Sequence, residues 1–319
     1  MSIRKRVIHF LKNPVDNKCI KAILNNMQQE ILDHYLKYGM FTYPGLYEEY
    51  FKSLPDDIRK IGHLVRWSLI HRTTLEWGNT STNSDLKFGD MTKVPKYRQV
   101  EDDNLPTTAA MLAELFRRDE KGLTLERKVE DKLILTCRHL CVLMASVLKS
   151  KGIPTRVRSG FAGYWPWAKK SSDHWVNQYW DRKENRWIAI DVDGSFHNVG
   201  FDMYDIPEGK FDYSADAWLN VRQGKIDGNH FLNADGTPGL MAIGWELFYD
   251  FHCLMNNEVI YLHHPKIVMP GVFEKLSENE LRKIDELAKL LQNPDENFDK
   301  LQKIWKTDKE FRLLKGALL

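Results

Sequence analysis

The sequence is poor in cysteine, with four in 319 residues (Cys19, Cys137, Cys141 and Cys253). That is too few for a disulfide framework in a chain of this length and suits a reducing compartment. It lacks any apolar run of the roughly 18 residues that a membrane-spanning helix requires. It lacks a charge of one sign: 46 basic against 44 acidic side chains leave a formal charge of +2. No general field therefore draws it to nucleic acid or to an anionic membrane. The start, "MSIRKRVIHFLKNPVDNK", is basic, but His9, Lys12 and Pro14 break its apolar part, so no signal peptide is expected and the expectation is a cytoplasmic protein. There is no internal repeat, no low-complexity tract, and no CxxC, HExxH or second Cys/His cluster at zinc spacing.

What remains is an ordinary globular composition, 43% hydrophobic with 10 Trp, enough for one large core or two modest ones. Apolar residues such as Ile20, Ile23, Leu24, Met27, Ile31 and Tyr35 recur at helical spacing from Cys19 to Gly39, and the spacing predicts helix again from Leu46 to Trp77. Gly78 to Pro106 is polar and rich in turn formers, which predicts a long loop or an active-site cover. A helix from Cys137 to Lys151 is then followed by period-two runs at "PTRVRSGFAGYW", "HWVNQYWD" and "RWIAID", an α+β pattern with a largely antiparallel sheet. After Leu276 two amphipathic helices with charged outer faces are expected.

The stretch "TCRHLCVLMASVLKSKGIPTRV" carries the chemistry. Thr136 stands at the N-cap and Gly152 and Pro154 end the helix, so Cys137 falls in the first turn, in line with Leu140, Met144, Val147 and Leu148. There the helix dipole and unpaired N–H groups favour a thiolate and could receive the negative oxygen formed when it attacks a carbonyl. Cys141, one turn deeper, reads as a packing residue. His174 opens a strand on the face of Val176 and Gln178. Pairing Trp180 with Trp187 across the turn "RKEN" puts Asp193 opposite His174 and Asp191 one pair further along, so either carboxylate could orient the imidazole. Two other readings of Cys137 compete: a packed thiol, and a zinc ligand with Cys141 and His174.

The segments "CRHLCVLMASVLKSKGIPTRVRSGF" and "DHWVNQYWDRKENRWIAIDVD" resemble the transglutaminase-like superfamily of papain-like fold. The shared features are a cysteine, a "GIPAR"-like turn, a strand-opening histidine and an aspartate four residues after a tryptophan. "FDYSADAWLNVRQGKIDGNHF" and "GLMAIGWELFYDFHCLMNNEV" resemble a bacterial branch with a CRH…DHW…RWxxxD pattern. The resemblance implies Cys137 as nucleophile, His174 as base and Asp191 as orienting acid, with Asp193 a neighbour. It implies a cysteine-bearing helix packed on an antiparallel sheet, flanked by N- and C-terminal helices. The expected division is 1–105 for a helical region with the polar loop, 106–270 for the catalytic core and 271–319 for a helical extension. The implied activity is acyl transfer to an amine or hydrolysis of a peptide, amide or acyl-thioester substrate through a thioester, with no cofactor and no nucleic-acid or membrane partner. The alternatives are a catalytically silent binding module or the zinc site.

Many members of the superfamily carry Asp where this chain has His139, which reads as a substrate contact or as a residue on the far side of the helix. Tyr164, Trp165 and Trp167 could line an acyl site or pack in a core. Arg156 and Arg158 alternate with Thr155 and Val157 and are expected on a solvated face, Arg156 being the exception if it follows the family's "PAR" arginine.

Overall fold

The computed structural model describes residues 26–72, 98, 101–165, 168–261 and 263–312. The loop or cover expected over 78–106 therefore lies outside the described residues except for 98 and 101–106, and so do Cys19, Pro166 and Trp167.

The N-terminal layer is helical but more broken than its periodicity implies. Helix α1 covers 26–36. The helix expected from Leu46 is split into α2 (Glu48–Ser53) and α3 (Ile58–Trp67). The reason is Pro55: it holds Leu54 in an extended conformation at ψ 159°, and the chain restarts where the Asp57 side chain accepts from the Lys60 N–H. Beyond Trp67 the chain is strand, not helix: β1 (Leu69–His71) is recruited by a partner far along the sequence. A short helix α4 (Glu101–Asn104) and then α5 (Thr108–Arg118) lead to that partner, β2 (Leu133–Leu135), which runs parallel to β1 with His71 level with Leu135.

Helix α6 (Cys137–Ser150) follows β2 directly. Its residues from Cys137 to Lys149 are all buried, so it is a central helix rather than a surface one. The main sheet is then built by β3 (Thr155–Ala162), β4 (Ser171–Asp181), β5 (Arg186–Ile190) and β6 (Phe211–Tyr213), in the order β5-β4-β3-β6 and antiparallel throughout. Trp180 pairs with Trp187 across the β4–β5 hairpin, as the alternation predicts. Helix α7 (Ser214–Arg222), β7 (Phe231–Leu232, parallel to the start of β4), α8 (Leu240–Leu254), α9 (Glu278–Leu291) and α10 (Phe298–Thr307) complete the described chain. The last two are the amphipathic pair expected after Leu276.

Two apolar clusters fix these layers. In one, Phe51, Ile61, Val65 and Leu112 from α2, α3 and α5 pack with Leu140, Met144 and Leu148 of α6 and with Val157, Trp175 and Ile190 of the sheet. In the other, Ile31 and Tyr35 of α1 join Trp218, Leu247, Phe251, Leu287 and Leu301 from α7 to α10. This second layer corrects the expectation of a solvated face for Arg158, and Arg156 is the exception that its place in the "PAR"-like turn implied. Arg156 and Arg158 are both buried, because helices rather than solvent meet their side chains. Arg158 donates through Nε and Nη2 to the two oxygens of Asp250 on α8, at 2.7 and 2.8 Å, and Arg156 reaches Asp295, between α9 and α10, at 2.5 Å. Among the described residues no helix is long and apolar enough to cross a membrane.

Candidate active site

The site forms where α6 begins. Thr136 takes the extended N-cap conformation, yet its hydroxyl does not cap the helix; it bonds His139 Nδ1 at 2.9 Å. The other nitrogen of His139 lies 2.9 Å from the Asp102 carbonyl, and burial pushes the imidazole well below its usual range, so it is neutral. His139 is thus a buried strut between α6 and α4. Arg138 beside it is equally buried and donates to the carbonyls of Pro106, Glu258 and Val259, tying the helix start to two loops.

Cys137 is the first residue of α6 and is buried. Its sulfur is 3.2 Å from the Tyr261 hydroxyl, and the imidazoles of His174 and His71 act on it as charge partners. Burial alone would raise the thiol; the two imidazoles outweigh it and bring the thiol from 9.0 down to about 6. Cys141, one turn on, is pushed well above the normal thiol range by burial and by the charges of Cys137, Asp191 and Asp193, in keeping with a packing role.

His174 stands on β4 opposite Gly160, and its Nε2 is 2.9 Å from Asp191 Oδ2, which leaves Nδ1 to serve the thiol. Burial works against the imidazolium, but the Asp191 charge and hydrogen bond and the Cys137 sulfur hold it well above the usual histidine range. Asp191 follows the last residue of β5, and its N–H is bonded to the Met203 carbonyl rather than across the hairpin. The carboxylate accepts the Gly194 N–H at 2.8 Å on Oδ1 and the Tyr164 hydroxyl at 2.7 Å on Oδ2. A Cβ on residue 194 would come within 2.5 Å of Asp191 Oδ2, so only glycine allows this approach. Burial raises this acid, and the imidazolium and donors reverse that, leaving it below the ordinary carboxylate range.

The structure therefore brings Cys137, His174 and Asp191 together and gives Asp193 another role. Asp193 is 3.3 Å from Arg66 Nε through Oδ1 and 3.7 Å from His71 Nε2 through Oδ2, and its carbonyl accepts from Arg66 at 3.0 Å. Tyr164 and Trp165 pack onto the same group, the Trp165 ring lying edge-on 5.1 Å from His174. Among the described residues no group of three or more His, Cys, Asp or Glu side chains is arranged to hold a metal ion.

Four side chains here have no counterpart in the sequence reading: His71, Tyr261, Asp173 and Glu246. His71 is brought in by the pairing of β1 with β2 and Tyr261 by the chain after α8, neither of which a local motif records. Asp173, half-buried next to His174, is pushed up to about 7 by desolvation and by the nearby thiolate. Glu246, buried on α8 and hydrogen-bonded by the Ser159 hydroxyl, is pushed well up by burial and by Asp173. Its signal was present as a lone acid in the apolar run "LMAIGWELF".

No curated protein and no solved structure matches the chain. The superfamily suggests cysteine-based catalysis in general. Residues 126–192, which contain Cys137, His174 and Asp191 and stop one residue short of Asp193, match the model of the transglutaminase-like superfamily, and this core is transglutaminase-like.

Proposed function

We propose that the chain is a cysteine acyltransferase or hydrolase acting on an amide or thioester carbonyl of a peptide or acyl substrate. In this reading the Cys137 thiolate attacks the carbonyl carbon, forming a C–S bond as the C=O electron pair moves onto oxygen. Protonated His174 gives its proton to the departing nitrogen or sulfur, and the tetrahedral adduct collapses to an acyl thioester. Water or an amine then attacks the thioester while His174 takes its proton, and the sulfur leaves as the thiolate. Asp191 keeps the imidazole in one tautomer and balances its charge. General acid–base help of this kind contributes about 10²- to 10⁴-fold.

The observation that carries the reading is the arrangement at the start of α6, where Cys137 opens the helix beside His174, whose Nε2 is held 2.9 Å from Asp191 Oδ2, and where the two imidazoles favour the thiolate. A silent binding module would have no use for that thiolate. The test is to incubate the protein with amide and thioester libraries, with and without an added amine, and to follow its intact mass. The expected result is an acyl adduct on Cys137 that Cys137→Ala does not take up. Absence of any adduct, together with alkylation of Cys137 no faster than that of Cys141, overturns it.

A further inference from the structure

We propose that His71 is a second catalytic histidine, whose N–H rests on the Cys137 sulfur before attack and passes to the carbonyl oxygen as negative charge develops there. The inference rests on Cys137 being the nucleophile.

Position comes first. β1 and β2 run parallel, His71 is level with Leu135, and the Arg72 N–H bonds the Leu135 carbonyl at 2.7 Å, so the pairing is closed just beyond His71. Because β2 leads within one residue into α6, the His71 ring is delivered to the first turn of that helix. That is where a carbonyl oxygen must lie when its carbon is bonded to Cys137 Sγ, since the sulfur and the first-turn N–H groups converge there.

Orientation is equally fixed. Asp193 holds the far side of the ring, and Asp193 is itself held by Arg66, which is fully buried and also donates to the Leu69 carbonyl at 3.2 Å. A three-residue strand would be a loose platform without such support.

Stoichiometry then divides the work. Acyl transfer to the sulfur moves one proton, from the thiol to the leaving group, and His174 with Asp191 is equipped for it. A second imidazole is surplus to that demand. What no proton neutralises during the step is the oxyanion, formed when the C–S bond is made and consumed when the leaving-group bond breaks. Charge balance favours His71 for it: Asp191 and protonated His174 sum to zero, whereas Arg66, Asp193 and protonated His71 sum to one positive charge. As the sulfur gives up its charge, the His71 N–H loses its first acceptor and gains a better one. Its interaction therefore strengthens in the transition state, the condition for catalysis rather than tight binding.

Two reagents separate this from simple thiolate support. Iodoacetamide reacts with the thiolate by displacement and forms no oxyanion, while p-nitrophenyl acetate acetylates it through one. Plateau rates at pH values above the thiol titration are compared for wild type, His71→Ala and His71→Gln, by intact mass and peptide mapping. His71→Ala is expected to lower the acetylation plateau by about 100-fold while the alkylation plateau changes by less than about threefold. His71→Gln, which keeps an N–H donor without the charge, should recover at least about tenfold of that loss, whereas a lost proton-transfer role would not be rescued by an amide. If His71→Ala does not fold, a drop of about three- to tenfold in the acetylation-to-alkylation ratio of His71→Gln serves instead. Equal losses with both reagents, or no loss with either, overturn the proposal. A wild-type protein that is alkylated at Cys137 but never acetylated there overturns the nucleophile reading beneath it, a distinct result.

Discussion

Tyr164 and His174 meet on one atom: the tyrosine hydroxyl donates to Asp191 Oδ2 over 2.7 Å, and the imidazole Nε2 reaches the same oxygen at 2.9 Å. Burial pushes the phenol well above its usual range, and the Asp191 charge adds to that, so it remains a donor at any working pH. Tyr164→Phe keeps the ring contacts to Trp165 and Phe201 and deletes only the hydroxyl. Asp191 then loses one of the donors that hold it below the ordinary carboxylate range, and its pKa rises. The expected outcome is a fall in turnover of about three- to tenfold and an acid limb of the pH–rate profile displaced to higher pH. A loss beyond about 100-fold would show that the hydroxyl touches substrate instead.

The two aspartates after β5 should separate cleanly. Asp191→Asn replaces an acceptor with a donor-bearing amide beside His174 and is expected to cost about 10²- to 10⁴-fold in turnover with little change in folding. Asp193→Asn leaves the buried Arg66 guanidinium without this carboxylate and loosens the His71 ring, so it is expected to lower stability by about 3 kcal/mol in denaturant unfolding and to cost less turnover than Asp191→Asn. Steady-state kinetics and chemical denaturation on both variants check this. The reverse order would mean that His71 with Asp193 is the acid–base pair.

How much of this was legible in the sequence depends on how local the cause is. The end of helix α6 could be delimited because Gly152 and Pro154 are punctuation that acts within one turn, whereas Thr136 takes the N-cap position without capping, its hydroxyl bonding His139. The hairpin register followed from Trp180 and Trp187 because alternation on two neighbouring strands excludes odd shifts and the short turn "RKEN" excludes the rest. His71 was invisible: "SLIH" continues a helical pattern, and only the parallel pairing with Leu133–Leu135 turns it into strand and aims it at Cys137. The arginines of β3 misled for a related reason. Alternating charges read as a wet sheet face, and only the acids of distant helices, Asp250 and Asp295, make a dry one possible.

The Cys137 titration carries a direct test. Its alkylation rate by iodoacetamide should rise with a midpoint at about 6 and stay flat through neutrality, while Cys141 and Cys253, whose thiols burial pushes well up, remain unlabelled in the folded protein. The linked stability has a definite sign. A thiol whose folded pKa is depressed stabilises the fold fully above its unfolded value of 9.0, and this is lost as pH falls through about 6. His174, raised in the fold, contributes fully below 6.5 and loses that contribution as pH rises through its higher folded value. Cys137→Ser removes the first dependence and weakens the second, because the sulfur helps to hold His174 up, so the difference in unfolding free energy between wild type and variant should change from about pH 6 upward. A labelling midpoint near 9 would remove the thiolate from the site.

The Arg158–Asp250 pair supports the last expectation. Both side chains are buried, the guanidinium spans both carboxylate oxygens, and Asp250 Oδ1 also accepts the Ser159 N–H at 3.0 Å, so one acid on α8 fastens that helix to the middle of β3. The pair's net worth against an apolar replacement is small, because both charges had to leave water. Removing one partner is different, since it strands the other. Asp250→Ala should therefore destabilise the fold by about 3–5 kcal/mol and lower the thermal midpoint accordingly. Asp250→Ala with Arg158→Met, which removes both charges and fills most of the space, should recover much of that loss. The same loss in the double variant would mean that the Ser159 bond and the packing of α8, rather than the stranded guanidinium, set the cost. Because β3 pairs with the strand that carries His174, with Gly160 opposite it, the single variant should also loosen the site, read as slower alkylation of Cys137 at a temperature where the protein is still folded.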